Sequence, residues 1–175
     1  MLKIFVAVVL LLVTGLLIYA ATKPDSFRIE RSTTIKAPPD KVFALINEFH
    51  QWEAWSPWEK IDPSIKRTYS GPRSGVGAVY EWAGNKDIGQ GRMEIIESSA
   101  LSKVSLKLDF VTPFEAHNFV DFTLTPQGDS TKLTQAMYGP SPYVSKLMTI
   151  FFSMEKMVGR KYEEGLADLK KLAEK

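Results

Sequence analysis

From Lys103 to Phe110 the chain alternates without a fault. Val104, Leu106, Leu108 and Phe110 are apolar, while Lys103, Ser105, Lys107 and Asp109 are polar. Successive side chains of a strand point to opposite faces, so this pattern requires a sheet with one covered face and one wet face. The same period recurs at Phe27 to Ile35, Ala78 to Trp82, Gly89 to Glu97, Glu115 to Thr125 and Thr131 to Tyr138. Tyr80 and Trp82 share a face, as do Met93 and Ile95, and Val120, Phe122 and Leu124. A brief strand is predicted at Lys66 to Tyr69, and Gly84-Asn85 and Gly128-Asp129 mark turns.

Two helical patterns flank the strands. Ala37-Pro38-Pro39-Asp40 stops the first strand and predicts a helix carrying Val42, Phe43 and Ile46 on one face, ending near Phe49. Gly139-Pro140-Ser141-Pro142 ends the sheet. One long amphipathic helix is then expected from about Tyr143 to Lys171, with Val144, Leu147, Met148, Phe151, Met154, Val158, Tyr162, Leu166 and Leu169 on its apolar face. Gly159 and Gly165 predict either close approach to the sheet or a bend. The expected architecture is α+β: a curved antiparallel sheet of about seven strands wrapped around a long carboxyl-terminal helix, with room between them for a ligand.

The amino terminus is of another kind. Ile4 to Ala21 carries no charge, and eighteen helical residues rise about 27 Å against a hydrocarbon thickness of about 30 Å. Lys3 and Lys23 bracket the run, and Tyr19 suits an interface. Residues 1–25 are therefore expected to be a single-pass membrane anchor with a short linker, and residues 26–175 a soluble domain. A cleaved signal is the rival reading. Its apolar core is usually about 7–15 residues, shorter than this one, and Ile18 and Tyr19 stand two positions before Ala20 and Ala21, where a cleavage site favours a small residue. A short basic leader ahead of an early span favours a domain outside the cytoplasm.

Composition narrows the chemistry. The 175 residues include no Cys, which excludes disulfides, thiolate metal sites, iron–sulfur clusters and thiol catalysis. The 22 basic and 20 acidic residues are interspersed, so no nucleic-acid footprint is present. His50 and His117 are the only histidines, and no HxH or HExxH spacing occurs, so neither a metal nor a cofactor is expected. His50 has no evident partner to orient it as a general base. Gly71-Pro72-Arg73-Ser74-Gly75-Val76-Gly77 lacks the Gly-Lys-Ser/Thr ending of a phosphate loop and reads as a turn. Arg92, Glu94 and Asp109 are expected to face water, with Arg92 beside Gly91 as a candidate anchor for a polar head.

Two segments carry a resemblance. Ile29-Glu30-Arg31-Ser32-Thr33-Thr34-Ile35 runs into Ala37-Pro38-Pro39-Asp40-Lys41-Val42-Phe43. Phe49-His50-Gln51-Trp52-Glu53-Ala54-Trp55-Ser56-Pro57-Trp58 follows, and Gly75-Val76-Gly77-Ala78 comes later. With the strand series and terminal helix, residues 26–173 resemble the START-like, helix-grip (SRPBCC) superfamily in its polyketide cyclase/dehydrase branch. That resemblance implies a cavity between sheet and helix that takes an apolar ligand. The expected function is a membrane-tethered domain binding or carrying a hydrophobic small molecule or lipid, with residues 4–21 in the membrane. A protein-interaction module at the membrane and a cyclase/dehydrase-type enzyme are the alternatives, although no convergent acid–base set is evident. The expected cavity residues are Trp52, Trp55, Tyr80, Trp82, Met93, Leu106, Leu108, Phe122, Met137, Met148 and Phe152, each of which also suits plain core packing. For Trp52, Trp55 and Trp58, packing, a cavity mouth and membrane contact all stay open.

Overall fold

The computed structural model describes residues 1–175. Helix α1 (Leu2–Ala21) precedes strand β1 (Ser26–Ile35), helix α2 (Pro39–Asn47) and two 3-10 turns (Phe49–Ala54 and Pro57–Lys60). Six strands follow: β2 (Lys66–Ser70), β3 (Val79–Ala83), β4 (Gln90–Ser99), β5 (Lys103–Thr112), β6 (Ala116–Gln127) and β7 (Ser130–Pro140). Helices α3 (Tyr143–Phe151) and α4 (Met154–Ala173) close the chain. The seven strands form one open antiparallel sheet in the order β1-β7-β6-β5-β4-β3-β2, which is the expected helix-grip arrangement.

Period two builds the inner face in rows. Ile29, Met137, Val120, Leu106 and Ile95 are successive register partners across five strands. Leu108, Met93, Tyr80 and Tyr69 form the next row, and Phe110, Gly91, Trp82 and Arg67 the one beyond. Ile35, Val42, Ile46, Ile95, Leu106, Phe122, Leu133 and Leu169 are fully buried. Each such side chain contributes roughly 1.5–3 kcal/mol relative to exposure. The outer face is charged: Arg92 pairs with Glu94 at 2.8 Å and Lys107 with Asp109 at 3.0 Å, as expected for residues facing water.

Helix α4 lies across the sheet, held along β1. Arg31, on the inner face of β1, pairs with Glu155 at 2.8 Å and Glu163 at 2.6 Å. Its guanidinium rests on Gly159, where a Cβ would come within 2.2 Å of it. Further along, the Lys170 ammonium donates to the Thr34 carbonyl at 2.7 Å, and the Lys36 N–H donates to Glu174 at 2.7 Å. Gly165 likewise admits Pro57, whose Cδ would sit 2.9 Å from an added Cβ. The expected close approach to the sheet holds at Gly159, whereas Gly165 makes room for the 3-10 turn at Pro57.

The single long terminal helix expected from Tyr143 to Lys171 is instead two. Phe152 is extended (φ −126°, ψ 128°), and the Ser153 hydroxyl accepts from the Lys156 N–H at 3.2 Å, an N-cap that starts α4 afresh. Freed from α4, α3 packs on α1 rather than on the sheet. The Tyr143 hydroxyl donates to the Leu17 carbonyl at 2.9 Å, and the Lys146 ammonium reaches Asp25 at 2.5 Å. The expected apolar stripe therefore serves two surfaces. Val158, Tyr162, Leu166 and Leu169 are buried against the sheet, while Val144, Met148 and Phe151 stand exposed.

Helix α1 has a mean hydropathy of 2.8 and is long and apolar enough to cross a membrane, a test that a signal sequence also meets. Its carboxyl end carries Tyr19, with the Lys23 ammonium 5.6 Å from the ring centre.

An apolar cavity between sheet and helix

The 3-10 turns after α2 set the floor of the site. Pro57 opens the second turn, and the rings of Trp52 and Trp55 fold inward beneath α4. Each indole N–H donates to a carbonyl of α2: Trp52 to Ile46 and Trp55 to Leu45, both at 3.0 Å. A buried indole needs such a partner. Trp52 is 6% exposed and Trp55 2%, so packing and cavity lining are here the same role, and membrane contact by these two is excluded. Trp58 is half-buried and also lines the space.

The cavity holds about 340 Å³, within the range of small-molecule sites. Tyr80, Trp82, Met93, Leu106, Leu108 and Met137, all named from the sequence, border it. Phe122 does not: it stands behind the floor, edge-on to Trp52 at 5.7 Å and Trp55 at 6.2 Å, and supports the wall. Met148 and Phe152 do not either. The helix break carries both away from the sheet, and they are 39% and 69% exposed. Ile65, Ile88, Phe110, Val120 and Met157 line the cavity without having been singled out. Phe110 was already legible in the alternation of β5, and Val120 in that of β6.

Two polar groupings reach the wall, and a third, at Tyr69, stands behind Tyr80. The Glu59 side chain, 7% exposed, accepts from the Tyr80 hydroxyl and from Arg67 Nε, both at 2.7 Å. Tyr69 stacks on Tyr80 and donates to Glu53 at 3.0 Å. Deeper in, the buried Tyr162 and Gln135 both line the cavity. Burial pushes the Tyr80, Tyr69 and Tyr162 hydroxyls far above the ordinary phenol range, and carboxylates beside the first two push them further. All three are therefore hydrogen-bonding groups and not bases near neutral pH. Gln135 occupies an inward position of β7 between Leu133 and Met137, but nothing in the pattern tells a cavity amide from a capped core amide.

The other polar candidates lie elsewhere. Arg92, Glu94 and Asp109 are on the outer face and do not reach the cavity. His117 is outside too, 2.6 Å from Asp109 and 3.2 Å from Glu115. His50 stacks on Tyr69 with ring centres 4.0 Å apart. No three His, Asp or Glu side chains converge as a metal-ligating group. Residues 71–77 form a turn in which Gly71, Gly75 and Gly77 have positive φ.

An open antiparallel sheet gripping a helix over an apolar cavity defines the helix-grip class of domain. The chain belongs to the family described as polyketide cyclase / dehydrase and lipid transport, whose pattern matches residues 26–174. Among solved structures, protein CV1439 from Chromobacterium violaceum is 15% identical, with 87% of this chain and 99% of that one covered at a TM-score of 0.59. Protein MLL2253 from Mesorhizobium loti is 17% identical, with 83% and 96% covered at 0.61. The major latex-like protein 151 from Panax ginseng is 13% identical, with 86% and 99% covered at 0.57. At these identities the likeness is one of fold. No curated protein matches the chain.

Proposed function

We propose that this protein holds a hydrophobic small molecule or lipid in the cavity between the sheet and α4, and does so tethered to a membrane by residues 1–25. The observation that carries the reading is a cavity of about 340 Å³ lined mainly by aromatic, aliphatic and thioether side chains. Methionines such as Met93 and Met137 adapt to irregular guests. The family description, which includes lipid transport, agrees. The Tyr162 hydroxyl and the Gln135 amide are neutral polar groups in the lining, suited to a hydroxyl or carbonyl on an otherwise apolar guest. The domain at residues 26–175 then works beside a reservoir of its own ligand, on the outer side of the cytoplasmic membrane.

Two alternatives fare less well. A cyclase/dehydrase-type enzyme needs a free acid and base at the guest, whereas Glu59 is held by Tyr80 and Arg67, and the other carboxylate of the lining, Asp87, is exposed at the mouth. A pure interaction module would fill its core, and this one leaves a cavity. The test is to purify the full chain and its Leu108→Trp variant in the same detergent, extract both with organic solvent and compare the extracts by mass spectrometry. An apolar molecule near one equivalent in the wild type and depleted in the variant is expected. Equal extracts overturn the reading.

A further inference from the structure

The antiparallel register gathers several unlike parts at one end of the sheet. Ser26, the first residue of β1, pairs with Pro140, the last of β7. Phe110 pairs with Ala116 beside the β5–β6 hairpin tip, Gln90 pairs with Thr112, and Lys66 pairs with Ala83 beside the β3–β4 turn. The exit of α1, the start of α3 and both turns therefore share this end. The cavity opens here as well: its exposed lining residues are Lys86, Asp87, Thr112, Pro113 and Met157.

Around that opening stand large apolar side chains with nothing over them. Val111 and Phe114, flanking the hairpin tip, are 59% and 64% exposed, and Phe151, Phe152 and Met157, at the α3–α4 junction, are 68%, 69% and 62% exposed. Thr112 and Pro113 line the cavity on one side and Met157 on the other, so the two groups face each other across its mouth. Contiguous exposed apolar surface of this kind marks a contact site.

The occupant is indicated by what adjoins the rim. Helix α3 is bound to the last turns of α1 through Tyr143 to the Leu17 carbonyl and through Lys23 to Thr149 at 3.3 Å. Tyr19, Tyr143 and Lys23 thus form a belt of the sort found at a membrane–water boundary. Lys156 and Arg160 flank Met157 in the first turns of α4 and are exposed, and Lys86 stands at the mouth, which suits anionic headgroups. An apolar helix face edged with basic residues lies in the interfacial plane of a bilayer.

We infer that the rim formed by Val111, Phe114, Phe151, Phe152 and Met157 inserts into the lipid leaflet beside α1, so that the cavity opens into the bilayer and not into water. The inference rests on the anchored reading above for its orientation, but its test stands apart. Because the chain has no cysteine, single cysteines report cleanly. The full chain carrying Phe114→Cys, Phe152→Cys or Leu12→Cys, or Asp129→Cys as a control at the far end, is spin-labelled in nanodiscs of phosphatidylcholine and phosphatidylglycerol. Accessibility to oxygen and to a water-soluble nickel chelate is then read. Docking predicts that labels at 114 and 152 lose nickel accessibility and gain oxygen accessibility relative to 129. Water-like values at 114 and 152 overturn it, whatever position 12 shows. Spin–spin broadening at 114 and 152 without oxygen accessibility overturns it in favour of a second copy of the chain. Lipid values at 114 and 152 with water values at 12 uphold docking and defeat the anchor.

Discussion

Trp82 and Gly91 are register partners on β3 and β4, and the indole occupies the space a Gly91 side chain would need. A Cβ at Gly91 would lie 2.3 Å from two ring carbons of Trp82 and 2.6 Å from the Asp109 carbonyl. The vacancy lets Trp82 reach Phe110, which it meets edge-on at 5.9 Å, and together they form one wall of the cavity near its mouth.

Gly91→Ala should therefore cost about 1–3 kcal/mol, the usual penalty of overpacking, because backbone on one side and a fixed ring on the other cannot both yield. Urea denaturation followed by tryptophan fluorescence reads it. An unchanged midpoint would show that Trp82 has another place to go.

The clamp of α4 makes a prediction of sign. Exchanging an interior glycine for alanine normally stabilises a helix by about 1 kcal/mol. At Gly159 the added methyl displaces the Arg31 guanidinium from between Glu155 and Glu163, and that loss offsets the gain. In an Arg31→Met background the full gain should reappear. A double-mutant cycle on the urea midpoints measures the coupling, and strict additivity would contradict the clamp.

His117 gives a pH dependence. Its hydrogen bond to Asp109, with the charges of Asp109 and Glu115, raises its pKa above the ordinary value of 6.5. Burial pushes the Asp109 carboxyl up, but hydrogen bonds from His117 and Lys107 outweigh it and hold the carboxyl below its usual range. A raised folded-state value means that protonated His117 favours the folded state. The contribution is complete below about 6.5, the unfolded value, and is lost as pH rises through the folded value. NMR titration of the His117 ring should give a midpoint above that of His117 in an Asp109→Asn variant. Coincident midpoints would contradict the pairing.

Glu59 is expected to be structural. Glu59→Ala strands the Tyr80 hydroxyl and takes from Arg67 Nε its 2.7 Å acceptor, and leaving a buried donor unpaired costs about 1–3 kcal/mol. Thermal unfolding checks this, with Glu59→Gln, which keeps an acceptor, expected to lose less.

The sheet was legible because period two is a local pattern repeated in every strand, and the fold's one helix-facing side follows directly from it. The broken helix was not. Val144, Leu147, Met148 and Phe151 continue the spacing of Val158, Tyr162 and Leu166, and periodicity does not say which partner each half faces. The local signal was Ser153, a cap residue ahead of Lys156, set inside a run that otherwise reads as uninterrupted helix. Phe122 misled for a different reason. Inward-facing residues of a sheet divide between cavity and filled core according to what the 3-10 turns place over them, and Trp52 and Trp55 cover Phe122. Glu59 was invisible because its partners, Arg67 and Tyr80, meet it only in the folded chain.

The methionines provide the most direct test of the cavity. Met93, Met137 and Met157 line it, whereas Met1, Met148 and Met154 do not. The full chain with carbon-13 methionine methyls, held in nanodiscs, can be titrated with dodecanol as an apolar probe. The Met93 and Met137 methyl resonances should shift saturably while Met148 stays in place, and Leu108→Trp should abolish the shifts. Silent Met93 and Met137 signals, or shifts confined to Met148, would contradict a ligand-holding cavity between the sheet and α4.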